Sequence, residues 1–139
     1  MKILVIDDDP MVLYTVSKIL RIGGYDVVTA ANGICGMHQF RDQRPEVVIT
    51  DIIMPEQEGI DTIRQIRCER PATKIIAISG GGRIANTSLL AMARKLGADE
   101  VIAKPFEAVE LLDLLRLWQP GQASHSDNGT PVCPSYNYS

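Results

Sequence analysis

A strand-then-helix alternation, repeated five times, constrains this chain more than any other feature. Lys2 to Ile6 (KILVI) is a β-branched apolar run bounded by three aspartates, and it reads as a buried strand. Asp9-Pro10 follows as an N-cap and a proline at the first helical position. Val12, Val16, Ile19 and Leu20 then recur at helical spacing until Gly23-Gly24. Strands are predicted over Tyr25 to Ala30, Glu46 to Thr50, Lys74 to Ser79 and Glu100 to Ala103. Helices are predicted over Asn32 to Arg41, from Ile60 past Arg67, over Ala85 to Leu96, and from Glu107 to Trp118.

Such an order implies an α/β fold: a parallel sheet with helices on both faces. Several strands are apolar throughout, as strands covered on both sides should be. In open sheets of this kind, ligands sit beyond the carboxyl ends of the strands. The residues immediately after each strand therefore carry the functional information.

Three aspartates, Asp7, Asp8 and Asp9, follow the first strand; Asp51 follows the third; Ser79 ends the fourth; Lys104-Pro105 follows the fifth. With all strands pointing one way, these groups converge on one edge. Clustered carboxylates repel one another, and a cation relieves that repulsion. Carboxylate oxygens without cysteine or paired histidine favour a hard ion such as Mg²⁺. A metal, the Lys104 ammonium and the Ser79 hydroxyl around one carboxylate would clamp a phosphoryl group, with Asp51 as the nucleophile of an acyl phosphate. Taken singly, each residue also has a structural reading. Asp9 is a helix cap, Asp7 and Asp8 are turn acids, Asp51 is a loop cap, Ser79 ends a strand and Lys104 is a surface lysine. The joint pattern separates the two readings.

Composition bounds the alternatives. Apolar residues make up 45% of the chain and charged residues 22%, as in ordinary globular proteins. No apolar run approaches the ~20 residues of a membrane span. Cys35, Cys68 and Cys133 are scattered and odd in number, which suggests free thiols in a reducing cytoplasm. The net charge is −3, which disfavours nucleic acid as the main partner. All 14 basic residues, and every acid but Asp127, lie within residues 1–118. Residues 119–139 are rich in Pro, Gly, Ser and Asn and read as a disordered tail or linker. The expected division is a folded domain over 1–118 and a polar tail over 119–139.

Four segments resemble the receiver domain of bacterial two-component response regulators: ILVIDDDP (Ile3 to Pro10), VVITDIIMPEQEG (Val47 to Gly59), IIAISG (Ile75 to Gly80) and GADEVIAKPF (Gly97 to Phe106). The resemblance spans residues 2–118. It implies a flavodoxin-like (βα)5 fold with strand order 2-1-3-4-5. It implies that Asp51 takes a phosphoryl group from a histidine kinase or histidine phosphotransfer protein in a Mg²⁺- or Mn²⁺-dependent reaction. Asp8, Asp51 and the backbone carbonyl of Ile53 match the direct metal ligands, and Asp7 matches the acid that holds a metal-bound water. Lys104 matches the lysine that pairs with the aspartate, and Ser79 the switching hydroxyl. Pro105 matches a cis Lys-Pro bond. Pro55, Gly59 and Gly80 shape the adjoining loops.

Two positions depart from that pattern. Val101 stands where many receivers carry a rotating Tyr or Phe, and valine is stiff at χ1. Ile53 places an apolar side chain where a polar one would position hydrolytic water, so the expected effect is on phosphoryl lifetime. The triple glycine after Ser79 reads either as a flexible loop or as a loop whose rearrangement replaces aromatic motion.

On the last helix, Ala108, Leu111, Leu112, Leu115 and Trp118 form the expected buried stripe. Leu117 is left exposed, with Leu114 at the margin. That exposure is either ordinary scatter or part of an effector-docking or homodimer face along the fourth helix, fifth strand and fifth helix. His38 has no ligand partner in sequence and is expected to be structural or exposed. The implied protein is a cytoplasmic phosphoacceptor and not an enzyme, either stand-alone or cut from a longer regulator. The competing readings are a degenerate receiver used only for protein binding and a small Mg²⁺-dependent phosphohydrolase. The latter would need a further acidic pair after Lys104, where only one helix and the tail follow.

Overall fold

The computed structural model describes residues 1–52, 58–79, 91, 94–95, 97–104 and 106–118. The elements are β1 (Lys2–Ile6), α1 (Pro10–Ile22), β2 (Asp26–Ala30), α2 (Gly33–Gln43), β3 (Val47–Asp51), α3 (Glu58–Glu69), β4 (Lys74–Ser79), β5 (Glu100–Ala103) and α4 (Ala108–Leu117). Of the helix expected over 85–96, Ala91, Arg94 and Lys95 are helical and the rest lies outside the described residues. The tail over 119–139 also lies outside them.

All strands are parallel, in the order β2-β1-β3-β4-β5. The sheet is therefore flavodoxin-like, as the resemblance implies. Every residue of the central β3 is buried. The edge strands β2 and β5 mix buried positions with half-buried and exposed ones. This difference follows from helices covering both faces at the centre of the sheet.

Each face carries its own core. On one, α2 and α3 press Met37, Phe40, Ile63 and Ile66 onto Leu4, Ile6, Val48, Ile75 and Ala77. On the other, α1 and α4 press Val16, Leu20, Leu111 and Leu115 onto Ile3, Val5, Ile49, Ile76 and Ile78. Burial of these side chains is the main favourable term, on the order of 1.5–3 kcal/mol for each large one. Ser17 interrupts the second layer. It is 5% exposed, and its Oγ has no hydrogen-bond partner among the described residues.

Several boundaries shift by one or two residues. Asn32 precedes α2 as its N-cap, its Oδ1 accepting from Cys35 N at 2.8 Å. Glu107 likewise caps α4, in a reciprocal capping box with Glu110. The third strand runs on to Asp51 because Asp51 still pairs with Ile78. Ala108, placed by the sequence in the buried stripe, is exposed in the first turn of α4. Leu117 is 70% exposed and Leu114 is half-buried, as the spacing predicts.

Polar contacts tie the helices together at the sheet's amino-terminal edge. Arg67 of α3 donates to the carbonyls of Pro71, Thr73 and Gly97 and to Asp99 Oδ2. Asp99 Oδ2 also accepts from Ile75 N at 2.8 Å. Between α2 and α3, Arg41 forms a bidentate pair with Glu69, at 3.1 and 2.6 Å. Nearby, Arg70 lies 4.5 Å from the centre of the Phe40 ring. Burial, with the charge of Arg44 added, pulls the Arg70 guanidinium below its ordinary value.

Candidate functional site

The carboxyl ends of β1, β3 and β5 bring four charged side chains to one place. Each of Asp7, Asp8 and Asp51 offers a carboxylate oxygen, and the three oxygens lie within 4.8 Å of one another. Lys104 Nζ lies 3.5 Å from Asp7 Oδ2 and 3.8 Å from Asp51 Oδ2. Asp7 and Asp51 are almost fully buried, at 2% and 6% exposure, whereas Asp8 faces solvent. The floor of the site is thus a desolvated acidic pair bridged by one ammonium, with a third carboxylate at the mouth.

The local sequence explains each placement. The β1 ladder carries the chain to Asp7, whose N–H donates to the carbonyl of Ala30 on β2 at 3.2 Å. Asp7 Oδ1 accepts from Asp9 N at 2.9 Å, which turns the chain out of the sheet. Asp9 in turn caps α1, its Oδ1 accepting from Met11 N at 2.9 Å, with Pro10 in the first turn. Asp9 is therefore structural, and its side chain is committed to the helix. Asp51 closes β3, and the next residue is pinned by Ile52 N donating to Ile78 O at 2.9 Å.

Electrostatics set what this cluster can hold. Like charges this close repel by a few kcal/mol per pair at an effective dielectric of about 20. One ammonium does not balance three carboxylates, so the site favours a further cation. The donor set is all oxygen, without thiolate or imidazole, and part of it is open to solvent. That chemistry suits a hard divalent ion which keeps several waters. The residues present fit Mg²⁺ or Mn²⁺ on this ground.

Other predicted positions fall around the cluster. Ser79 is the last residue of β4, its backbone paired with Ala103 beside Lys104; its side chain lies outside what is described. Val101 is half-buried and packs against the α2–α3 layer. Gly59 lies in the first turn of α3. Ile53, Pro55, Gly80 and Pro105 lie outside the described residues. His38 is exposed and stands apart from the cluster, lining a cavity of about 300 Å³ with Ile34, Arg41, Asp61 and Gln65. Cys35 and Cys68 are free thiols. No helix among the described residues is long and apolar enough to cross a membrane.

Comparison with known proteins agrees with this geometry. A family model described as the response regulator receiver domain matches residues 3–116. The chemotaxis protein CheY of Listeria monocytogenes is 31% identical over 116 residues, covering 83% of this chain and 95% of its own. CheY of Thermotoga maritima is 33% identical over 115 residues, covering 82% and 93%. The probable transcriptional regulatory protein TcrX of Mycobacterium tuberculosis is 31% identical over 114 residues, covering 82% of this chain but 47% of TcrX. The chain thus spans nearly all of some relatives and about half of another. Among solved structures, a response regulator receiver domain from Clostridium thermocellum superposes with a TM-score of 0.76 at 34% identity, covering 83% of this chain and 90% of its own. A CheY-like receiver domain protein from Methanospirillum hungatei gives the same TM-score of 0.76 at 29% identity, covering 83% and 90%. Motif order, sheet topology, the acidic cluster and these matches agree: the chain belongs to the response regulator receiver domain family.

Proposed function

We propose that this chain is a phosphoacceptor of a two-component relay and that Asp51 is the residue modified. The observation that carries the reading is the cluster itself: a buried carboxylate at the end of β3, flanked by two more acids and 3.8 Å from the Lys104 ammonium. An Asp51 carboxylate oxygen attacks the phosphorus of a phosphohistidine on a kinase or phosphotransfer protein. The P–O bond forms as the P–N bond breaks, and the electron pair leaves with the imidazole nitrogen, which takes up a proton.

Lys104 holds Asp51 before transfer and then faces the phosphoryl oxygens, its ammonium offsetting the negative charge that the phosphoryl group brings. Asp8 and Asp51, with the Ile53 carbonyl, would hold Mg²⁺ directly, and Asp7 would hold one of its waters. When bound, the ion neutralises charge on the cluster and on the incoming phosphoryl oxygens. Ser79, one residue beyond Asp51's ladder partner Ile78, is the hydroxyl that follows the modification. An acyl phosphate adds charge at a desolvated site and shifts the population between two conformations. The expected readout is altered binding to an effector, at the face formed by β5, α4 and the helix that contains Arg94 and Lys95. The domain boundary near 118 and a cytoplasmic location belong to the same reading.

Intact-mass analysis tests it. Incubation with acetyl phosphate and Mg²⁺ should add a single phosphoryl group, lost in Asp51→Asn and without metal. No adduct from acetyl phosphate or from any phosphohistidine protein would leave a degenerate, protein-binding receiver instead. Sustained turnover of phosphate esters would indicate a hydrolase.

A further inference from the structure

Resting on Asp51 as the phosphoacceptor, we propose that Thr50 is the positioning residue that fixes the backbone from which that carboxylate projects. Thr50 is fully buried, at 0% exposure, and follows Val47-Val48-Ile49 in the strand. Its lateral neighbours in the ladder are Ile6 on β1 and Ala77 on β4, both in the apolar layer under α2 and α3. A hydroxyl in such a layer is unfavourable unless it is bonded, and valine would fill the same shape without that demand.

The hydroxyl is bonded, and to a telling atom: Thr50 Oγ1 donates to the carbonyl oxygen of Asp51 at 3.2 Å. The N–H of the same peptide, on Ile52, donates to Ile78 O at 2.9 Å. Both polar atoms of the peptide that follows the nucleophile are therefore held, one by a side chain and one by the neighbouring strand. Together they fix ψ of Asp51 and the direction in which the chain leaves the sheet. Successive side chains on a strand point to opposite faces, so Thr50 acts on Asp51 through the backbone. It does not touch the reacting atoms. Group transfer between fixed partners is sensitive to sub-ångström placement, and this peptide sets the placement of Asp51.

The test compares Thr50→Val, which keeps the shape and removes the hydroxyl, with Thr50→Ser, which keeps the hydroxyl. Both are made in the full chain. Thr50→Val should unfold near the wild-type urea midpoint, and its Ile52 amide should exchange faster. Its maximal rate of phosphoryl uptake from acetyl phosphate at saturating Mg²⁺ should fall roughly three- to tenfold with little change in KM for the donor. Thr50→Ser should stay within about twofold of wild type on each measure. If valine does not pack, Thr50→Ala removes the same hydroxyl and serves in its place. Wild-type uptake and Ile52 protection in the hydroxyl-free variant would overturn the proposal, as would Thr50→Ser being equally slow. If the wild-type protein itself takes no phosphoryl group, the phosphoacceptor reading fails separately. Titration with Mg²⁺ alone then decides: affinity weakened about threefold or more in Thr50→Val supports the positioning role, and unchanged affinity overturns it.

Discussion

Lys104 Nζ lies 3.8 Å from Asp51 Oδ2 and 3.5 Å from Asp7 Oδ2, so a single ammonium just past β5 bridges the acids at the ends of β3 and β1. This positive charge occupies part of the field that a divalent ion would use. Removing it should strengthen metal binding at the cost of apo stability. Lys104→Met is expected to bind Mg²⁺ about three- to tenfold more tightly at low ionic strength, with a smaller difference in high salt. Isothermal titration with MgCl2 at two salt concentrations checks this. Equal affinities would mean that the lysine and the three carboxylates of the cluster are not coupled.

Asp8 provides the opposite test. It is the exposed member of the cluster, and its charge repels two buried neighbours. Asp8→Asn should raise the metal-free unfolding free energy by about 0.5–1.5 kcal/mol, because repulsion is relieved. It should also abolish stabilisation by Mg²⁺. In the wild type, metal at ten times its Kd adds about 1.4 kcal/mol by linkage. Thermal unfolding with and without MgCl2 separates the effects, and a metal-dependent rise in Tm that survives in Asp8→Asn would remove Asp8 from the site.

Much of this arrangement was readable in the residues. The apolar runs mark each strand because a sheet covered on both faces needs them, and the residues after those runs converge once all strands are parallel. The end of β3 was harder. Asp51 belongs to the strand because its ladder partner is Ile78, and pairing across strands is not written in local composition. Thr50 carried a faint signal, as the lone hydroxyl in VVITD, but its acceptor is a backbone carbonyl without sequence identity. The Arg67 cluster was not legible for the same reason. Its acceptors come from three carbonyls and Asp99, in segments that meet only after folding. Ala108 was misplaced because helical spacing alone does not say where α4 first meets the sheet.

Arg67 fixes the base of the sheet opposite the site. Its side chain is 19% exposed and serves four acceptors, among them Asp99 at 2.8 Å, which itself holds the start of β4 through Ile75 N. Arg67→Ala should cost on the order of 2–4 kcal/mol, since three carbonyls and a carboxylate, most of them in part-buried bonds, lose their shared donor together. Arg67→Lys should recover less than half of that loss, because an ammonium cannot reproduce the planar fork. Urea midpoints measure both. A fully rescued lysine variant would reduce the cluster to a simple charge pair.

Ser17 is a candidate for gain. Its buried Oγ lacks a partner among the described residues, and it sits in the interior of α1, where alanine is also the better helix former. Ser17→Ala should stabilise the protein by about 0.5–1.5 kcal/mol without changing Mg²⁺ affinity. A loss of stability would show that the hydroxyl has a partner, such as an ordered water.

Gly36 governs how closely α2 approaches β1, the strand that leads into Asp7. A Cβ at this position would lie 2.5 Å from Ile6 Cδ1 and 3.0 Å from Ile6 Cγ1. In an exposed helix interior, Gly→Ala gains about 1 kcal/mol. Here Ile6 is 1% exposed in the packed core, so the added methyl must turn the Ile6 side chain against its neighbours, push α2 off the sheet or strain β1. Gly36→Ala should therefore be net destabilising, by roughly 1–2 kcal/mol. Ile6→Val removes the clashing Cδ1, and it should cost about 0.5–1.5 kcal/mol alone. The double variant should be more stable than the sum of the two losses, with a coupling of about 1 kcal/mol. Because Ile6 directly precedes Asp7, Gly36→Ala should also weaken Mg²⁺ binding, and Ile6→Val should restore it. Additive stabilities in the double-mutant cycle would show that the contact is relieved elsewhere and that Gly36 does not set the spacing of α2 from β1.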